Sequence, residues 1–274
     1  MNAQTACLNC DTPISGAFCH GCGQRAGEAH RSMLHLGGEF LETFSHADSR
    51  FWRTMRRLAL DPARLTRDYL AGRRAYEIPP LRLFFVMMFL LFTIGSLTTG
   101  RIDLLRLNPA EHHAIVDKLD GLVIPGFPRT SGWLRDRVER AVDNPGDVVA
   151  VMREWLERFA FLMLPIAGLM LWVLYWPQRR FTLYDHMNVS IHSLSFASLV
   201  LIAMFLLGAV SFRLNGLLLL LLPLHLFAHM RGVYRSGIAG TLFRMAMLAI
   251  FTLVAMLGLL AGLAAIGLEF GAGG

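Results

Sequence analysis

The sequence predicts an all-α membrane protein: about five transmembrane helices, a small N-terminal zinc ribbon and amphipathic juxtamembrane helices. Three observations lead there. Hydrophobic residues make up 54% of the 274-residue chain and charged residues only 17%, against about 25% charged in soluble domains. Five apolar runs approach the ~20 residues that cross a hydrocarbon core. All four cysteines fall within one short stretch, Cys7 to Cys22.

That stretch, "CLNCDTPISGAFCHGCGQ", comes first in the chain. Cys7 and Cys10 form one C-x2-C pair, Cys19 and Cys22 a second. Each pair sets two thiolates on a tight turn, and two turns can surround one ion tetrahedrally. Structural zinc is the expected cofactor. A segment this short has no core of its own, so metal binding would supply its folding energy. Two disulfides are the alternative, and they need an oxidising compartment. His20 is expected to be solvated. With four ligand positions filled, no open coordination site is left for catalysis. No apolar leader precedes the cysteines in this sequence, so no cleavable secretory signal is expected.

Residues 1-26 are therefore read as the ribbon and 27-80 as basic juxtamembrane helices. His30 to Phe44 has an amphipathic pattern. Beyond it, Phe51, Met55 and Leu58 make one helical stripe. Arg50, Arg53, Arg56 and Arg57 fill the other faces. Asp61-Pro62 reads as an N-cap followed by proline at the first helical position, and Gly72 as the stop. Pro79-Pro80 breaks the chain before the membrane. Nine arginines and four acids lie between Asp48 and Arg82. These helices, with Arg73 and Arg74 included, are candidates for binding anionic headgroups or a partner. Topology signalling with ordinary packing is the equal alternative.

The first transmembrane helix is read at 81-99, an extracytoplasmic loop with helical patches at 100-158, and four further transmembrane helices in 159-274. The apolar runs are Leu81–Leu97, Phe159–Trp176, His192–Phe212, Leu214–Met230 and Met245–Leu268, the third and fourth joined by "RLNG". Arginines cluster before the first run, after the second and between the fourth and fifth, all on one face. The positive-inside rule makes that face cytoplasmic. The expected location is a bacterial inner membrane, N-terminus cytoplasmic and C-terminus extracytoplasmic. The outer loop is nearly neutral, with nine basic and ten acidic residues. No catalytic constellation shows there, and His112-His113 reads as solvated.

No Asp, Glu or Lys lies centrally in a span, which weighs against an ion-coupled carrier. Histidines remain. Asp185 and His192 lead into the third span, and His225 and His229 close the fourth, four residues apart on one helix face. Both groups belong to the same leaflet. Asp185, His192, His225 and His229 are therefore the candidate metal or acid–base site. The alternative is that these histidines hydrogen-bond across helices, or that His186 and His229 sit at the interface. Pro165 and Pro223 are expected to kink their spans. Gly258 and Gly262 supply a small-residue face for packing, within the chain or in a homo-oligomer.

"FCHGCGQ", "DPARLTRDYLAGRRAYEIPPLRLFF" and the acid–His segment "YDHMNVSIHSLSF" together resemble a family of bacterial inner-membrane proteins of unknown function with an N-terminal zinc ribbon. The likeness covers the first third of the chain best. It implies a zinc ribbon on a helical bundle, with Cys7, Cys10, Cys19 and Cys22 as ligands, and no assigned activity.

The leading expectation is a non-enzymatic scaffold that docks a cytoplasmic partner or the inner leaflet. A membrane enzyme acting on a lipid-like substrate through the His/Asp cluster is the alternative, and a small-solute carrier the next. Membrane lipids are expected partners. Nucleic acid is not, because Phe18, Phe40 and Phe44 read as packing residues.

Overall fold

A computed structural model describes residues 6–26, 49–99, 128–143, 145–207, 212–267 and 269. Among these residues there are eight helices: α1 Ser49–Leu60, α2 Pro62–Leu70, α3 Pro80–Thr99, α4 Pro128–Asp143, α5 Pro145–Leu174, α6 Leu183–Leu207, α7 Phe212–Tyr234 and α8 Ile238–Ile266. Five of them are long and apolar enough to cross a membrane: α3, α5, α6, α7 and α8. The protein is an all-α membrane protein with a cysteine cluster at its N-terminus. The amphipathic stretch His30 to Phe44 and the pair His112-His113 lie outside the described residues.

Two compact units are distinguished: residues 1–99 with 164–250, and residues 100–163 with 251–274. In the second unit, Arg137 of α4 donates to Glu269 Oε1 at 2.9 Å. A Cβ built on Gly262 would stand 3.9 Å from the Phe159 ring, while one on Gly258 would meet nothing within 4 Å. Gly262 therefore packs within the chain, and Gly258 faces open space.

The first unit carries the cysteine module and the short helices α1 and α2. The α1 stripe is buried: Met55 and Leu58 join Leu65 of α2, Leu83 and Met87 of α3, and Phe196 and Val200 of α6 in one core, with Phe51 packed against it. Asp61 caps α2, its carboxylate accepting the Arg64 amide at 3.3 Å, and Pro62 is the first helical residue. The helix stops at Gly72, whose φ of +86° suits a residue without Cβ. α3 packs on α6, with Ser198 donating to Met88 Sδ at 3.5 Å and Phe205 beside Gly95. The sequence offset is the same at both contacts, so the two helices run parallel.

Two boundaries differ from the sequence expectation. "RLNG" does not join two spans: α6 ends at Leu207, α7 begins at Phe212, and Arg213 to Gly216 form its first turn. The tetrapeptide is helical throughout despite its Asn-Gly pair, a dipeptide that ordinarily marks a turn. Likewise "DVVAVMREWLERF" is no separate outer patch. It is the start of α5, which continues into the second span without a helix stop between them. α5 and α7 run through Pro165 and Pro223 as single helices.

Two arginines tie other parts of this unit to the end of α7. Arg67 of α2 donates to the Gly232 carbonyl, and Arg180 to that of Tyr234 at 2.6 Å. Both carbonyls belong to the last turn of α7, where four acceptors lack helical donors and a cation is favoured. The α2–α7 approach needs Gly232, since a Cβ there would stand 2.3 Å from the Ala63 Cβ. Gly232→Ala should therefore destabilise the detergent-purified protein by about 1–3 kcal/mol through overpacking. Gly216→Ala on the same helix, which meets nothing within 4 Å, should hold or raise the thermal unfolding midpoint, because alanine favours the helix.

Candidate functional site

The cysteine module is two copies of one turn. Cys7 N donates to Thr12 O and Asp11 N to Cys7 O, each at 2.9 Å. Cys19 N donates to Gln24 O and Gly23 N to Cys19 O, each at 2.8 Å. An isolated antiparallel bridge closes each turn, Ala6 with Pro13 and Phe18 with Arg25. Asp11 at φ 57° and Gly23 at φ 73° hold the matching left-handed position. These turns aim their sulfurs inward. Cys7 Sγ lies 3.6 Å from Cys22 Sγ, Cys10 Sγ lies 3.5 Å from Cys19 Sγ, and all four fall within 4.8 Å of one another. That is close enough to bind a metal ion, whereas a disulfide needs sulfurs ~2.05 Å apart. Thr12 hydrogen bonds hold the Cys10 thiol low, at about 6, while burial pushes Cys22 up to about 12. A bound ion would take all four as thiolates.

The module is docked by contacts that the sequence reading missed. Gln24 Nε2 donates to the Gly72 carbonyl at 2.7 Å, and the Arg74 amide donates to Gln24 Oε1 at 3.1 Å. The Gln24 side chain thus bridges one carbonyl and one amide of the α2–α3 linker. Leu8 covers Gly72 so closely that a Cβ there would stand 2.6 Å from the Leu8 Cδ1.

The histidines come together beneath α1 and α2. The Thr66 hydroxyl of α2 lies 2.7 Å from His192 Nδ1 of α6 and 2.7 Å from His229 Nε2 of α7. One hydroxyl proton cannot serve both, so Thr66 donates to one ring and accepts from the other. His229 Nδ1 meets Ser193 Oγ at 3.0 Å, which continues the chain. His225 stacks flat on Phe196, with ring centroids 3.6 Å apart and an interplanar angle of 4°. Its Nε2 is 2.8 Å from the Leu58 carbonyl and must donate to it. That carbonyl would normally pair with the amide four residues on. The residue there is Pro62, which has none. His225 supplies the missing donor. His186 forms a second buried pair, its Nδ1 2.8 Å from the hydroxyl of Tyr234, whose ring stacks on Tyr175. All four of these histidines are buried, so neither His186 nor His229 lies at an exposed interface.

Asp185 is not part of this group. It sits seven residues before His192, about 10 Å along the helix axis. Its carboxylate accepts the Thr182 amide at 2.8 Å, and its own amide donates to the Thr182 hydroxyl at 3.4 Å. This reciprocal pair is a capping box, and it starts α6. The four-member site expected from sequence therefore resolves into three clustered histidines and a helix cap. Thr66 had a visible signal, a threonine four residues after Pro62 on the buried, otherwise mostly apolar face of α2. Ser193 had none.

The six candidate arginines also divide. Arg57 pairs with Glu77 at 2.9 Å, and Arg73 with Asp68 at 3.3 Å. Arg74 lies over the Tyr69 ring at 4.4 Å and donates to the Tyr184 hydroxyl at 3.4 Å. Arg53 lies over the Tyr76 ring at 5.2 Å. The Arg50 carbonyl accepts from the Thr54 hydroxyl at 2.8 Å. Arg56 is exposed and borders a cleft. Glu77 is buried, and burial pushes its carboxyl above its ordinary range against the downward pull of Thr54 and Arg57. Its ionised form thus costs stability near neutral pH, a cost relieved as pH falls through the raised value.

Removing the Thr66 hydroxyl strands two buried ring nitrogens, and each unpaired group costs about 1–3 kcal/mol. Thr66→Val should lower the unfolding midpoint, whereas Thr66→Ser should retain it.

Residues 48–92 match the profile of a family described as a protein of unknown function (DUF3667). The match begins one residue before α1 and extends into α3, so it contains Leu58, Thr66 and Arg56 but neither the cysteines nor the histidines. No curated protein and no solved structure matches the chain.

Proposed function

We propose that this protein is a zinc-binding adaptor of a bacterial inner membrane, which holds its cysteine module on the cytoplasmic face for a protein partner. The observation that carries this reading is the dock. The module is fastened to the α2–α3 linker by Gln24 and Leu8, while Phe18 on its second turn stays 62% exposed. A fastened module with an uncovered aromatic suits presentation to a partner better than catalysis. Zinc fits an all-thiolate donor set in a closed site. A tetrahedral ion with ~2.3 Å bonds needs sulfurs ~3.8 Å apart, near the Cys10–Cys19 and Cys7–Cys22 separations of 3.5 and 3.6 Å. Arginines favour the cytoplasmic side: Arg67, Arg74, Arg180 and Arg244 gather where α2, the α5–α6 link and the end of α7 meet.

The histidine cluster supports an adaptor over a membrane enzyme. Thr66, Ser193 and the Leu58 carbonyl engage its facing ring nitrogens, so it reads as the bolt between the short helices and the spans.

Elemental analysis of the detergent-purified chain should find one zinc per chain. Cys19→Ser with Cys22→Ser should abolish it, and alanine at His192, His225 and His229 together should leave it unchanged. Two ions falling to one in the histidine variant would replace the adaptor reading with the enzymatic one. A photo-crosslinking residue at position 18 should give a discrete adduct in cells that vanishes with the cysteine substitutions.

A further inference from the structure

A cleft of about 490 Å³ opens between α1, α3 and α6, within the range of about 300–1,000 Å³ of small-molecule sites. Its walls are apolar: Phe51 and Met55 of α1, Met87 and Leu90 of α3, and Leu199 of α6. Met87 and Leu90 stand seven and ten residues into α3, about 10–15 Å along its axis. That depth reaches from the entry of the span to the middle of a ~30 Å hydrocarbon core, the layer that acyl chains fill.

The rim is different. Trp52 of α1 is 75% exposed, and Arg56, one helical turn on, is exposed beside it. Both border the cleft. Arg56 has no acidic partner among the described residues. Glu77 and Asp68, the acids beside α1, are engaged by Arg57, Arg64 and Arg73. A tryptophan with an unpaired guanidinium at the mouth of an apolar slot matches the headgroup boundary of a bilayer. An apolar helix from another protein would leave that guanidinium against a neighbour that cannot pair with it.

We infer that the α1–α3–α6 cleft binds one anionic phospholipid of the surrounding bilayer, with an acyl chain along Met87, Leu90 and Leu199 and the phosphate on Arg56. Among the six arginines weighed from sequence, this singles out Arg56. It also gives α1 a task beyond covering the core: its inner face closes the slot and its outer face marks the headgroup. The inference is independent of what the cysteine module binds.

Native mass spectrometry of the full-length protein in detergent tests it, with equal amounts of dioleoyl phosphatidylglycerol and dioleoyl phosphatidylcholine added. The wild type should retain one phosphatidylglycerol per chain in preference. Arg56→Gln should reduce that occupancy at least about tenfold, the loss of one charge-assisted hydrogen bond. Leu90→Trp, which fills the slot, should remove both lipids. Arg73→Gln, whose guanidinium already serves Asp68, should change nothing. Arg56 is exposed, so its variant folds and keeps the test sound even if Leu90→Trp does not. Equal retention of the two lipids by the wild type, no retained lipid at all, or undiminished phosphatidylglycerol in Arg56→Gln would each overturn the inference.

Discussion

A polar group buried beside apolar spans must find its partner within the protein, because no water is there to offer one. The junction between α2, α6 and α7 is arranged around that requirement. Pro62 deprives the Leu58 carbonyl of its helical donor, and His225 of α7 supplies one. Thr66 then stands between His192 and His229, so a single hydroxyl joins three helices. Arg67 and Arg180 complete the last turn of α7 in the same way. Apolar packing alone has little preference between neighbours in a bilayer, since lipid tails are as apolar as leucine. These directional bonds are what fix the short helices in one register over the spans.

Much of this was legible in the sequence, because the signals were local. The apolar runs gave five membrane-length helices. Asp61, Pro62 and Gly72 bounded α2 through capping chemistry that acts within a few residues. The paired cysteine spacing placed four sulfurs together. The histidine spacing placed three rings together but gave Asp185 the wrong company. A charged residue beside a histidine motif looks like a ligand on paper, yet Thr182-x-x-Asp185 is itself a capping-box pattern, and the Thr182 hydrogen bonds realise it. Thr66 lies on the buried face of α2 that periodicity marks, but Ser193 and Gln24 carry long-range contacts that no periodicity announces. At "RLNG" the polar Asn-Gly pair reads as a turn in sequence, yet the backbone there is helical.

The matched family segment, residues 48–92, coincides with the part of the chain that others lean on. It supplies Thr66 and the Leu58 carbonyl to the histidines, the Gly72 carbonyl to the cysteine module, and Arg56 and Trp52 to the cleft. A segment with obligations on three sides has few substitutions open to it. The cysteines and histidines then act as clients of that segment.

The place of Gln24 ties two equilibria together. Its side chain grips the linker, while its backbone carbonyl accepts the Cys19 amide inside the second cysteine turn. The grip therefore exists only when that turn has its folded shape, which an ion bound by the four sulfurs would enforce. Free energy gained at the linker would return as tighter hold on such an ion, and reciprocally the ion would strengthen the attachment. Metal lost from the module would also loosen its mooring, so occupancy of the four sulfurs would be sensed at the membrane surface as freedom of the N-terminal segment to move.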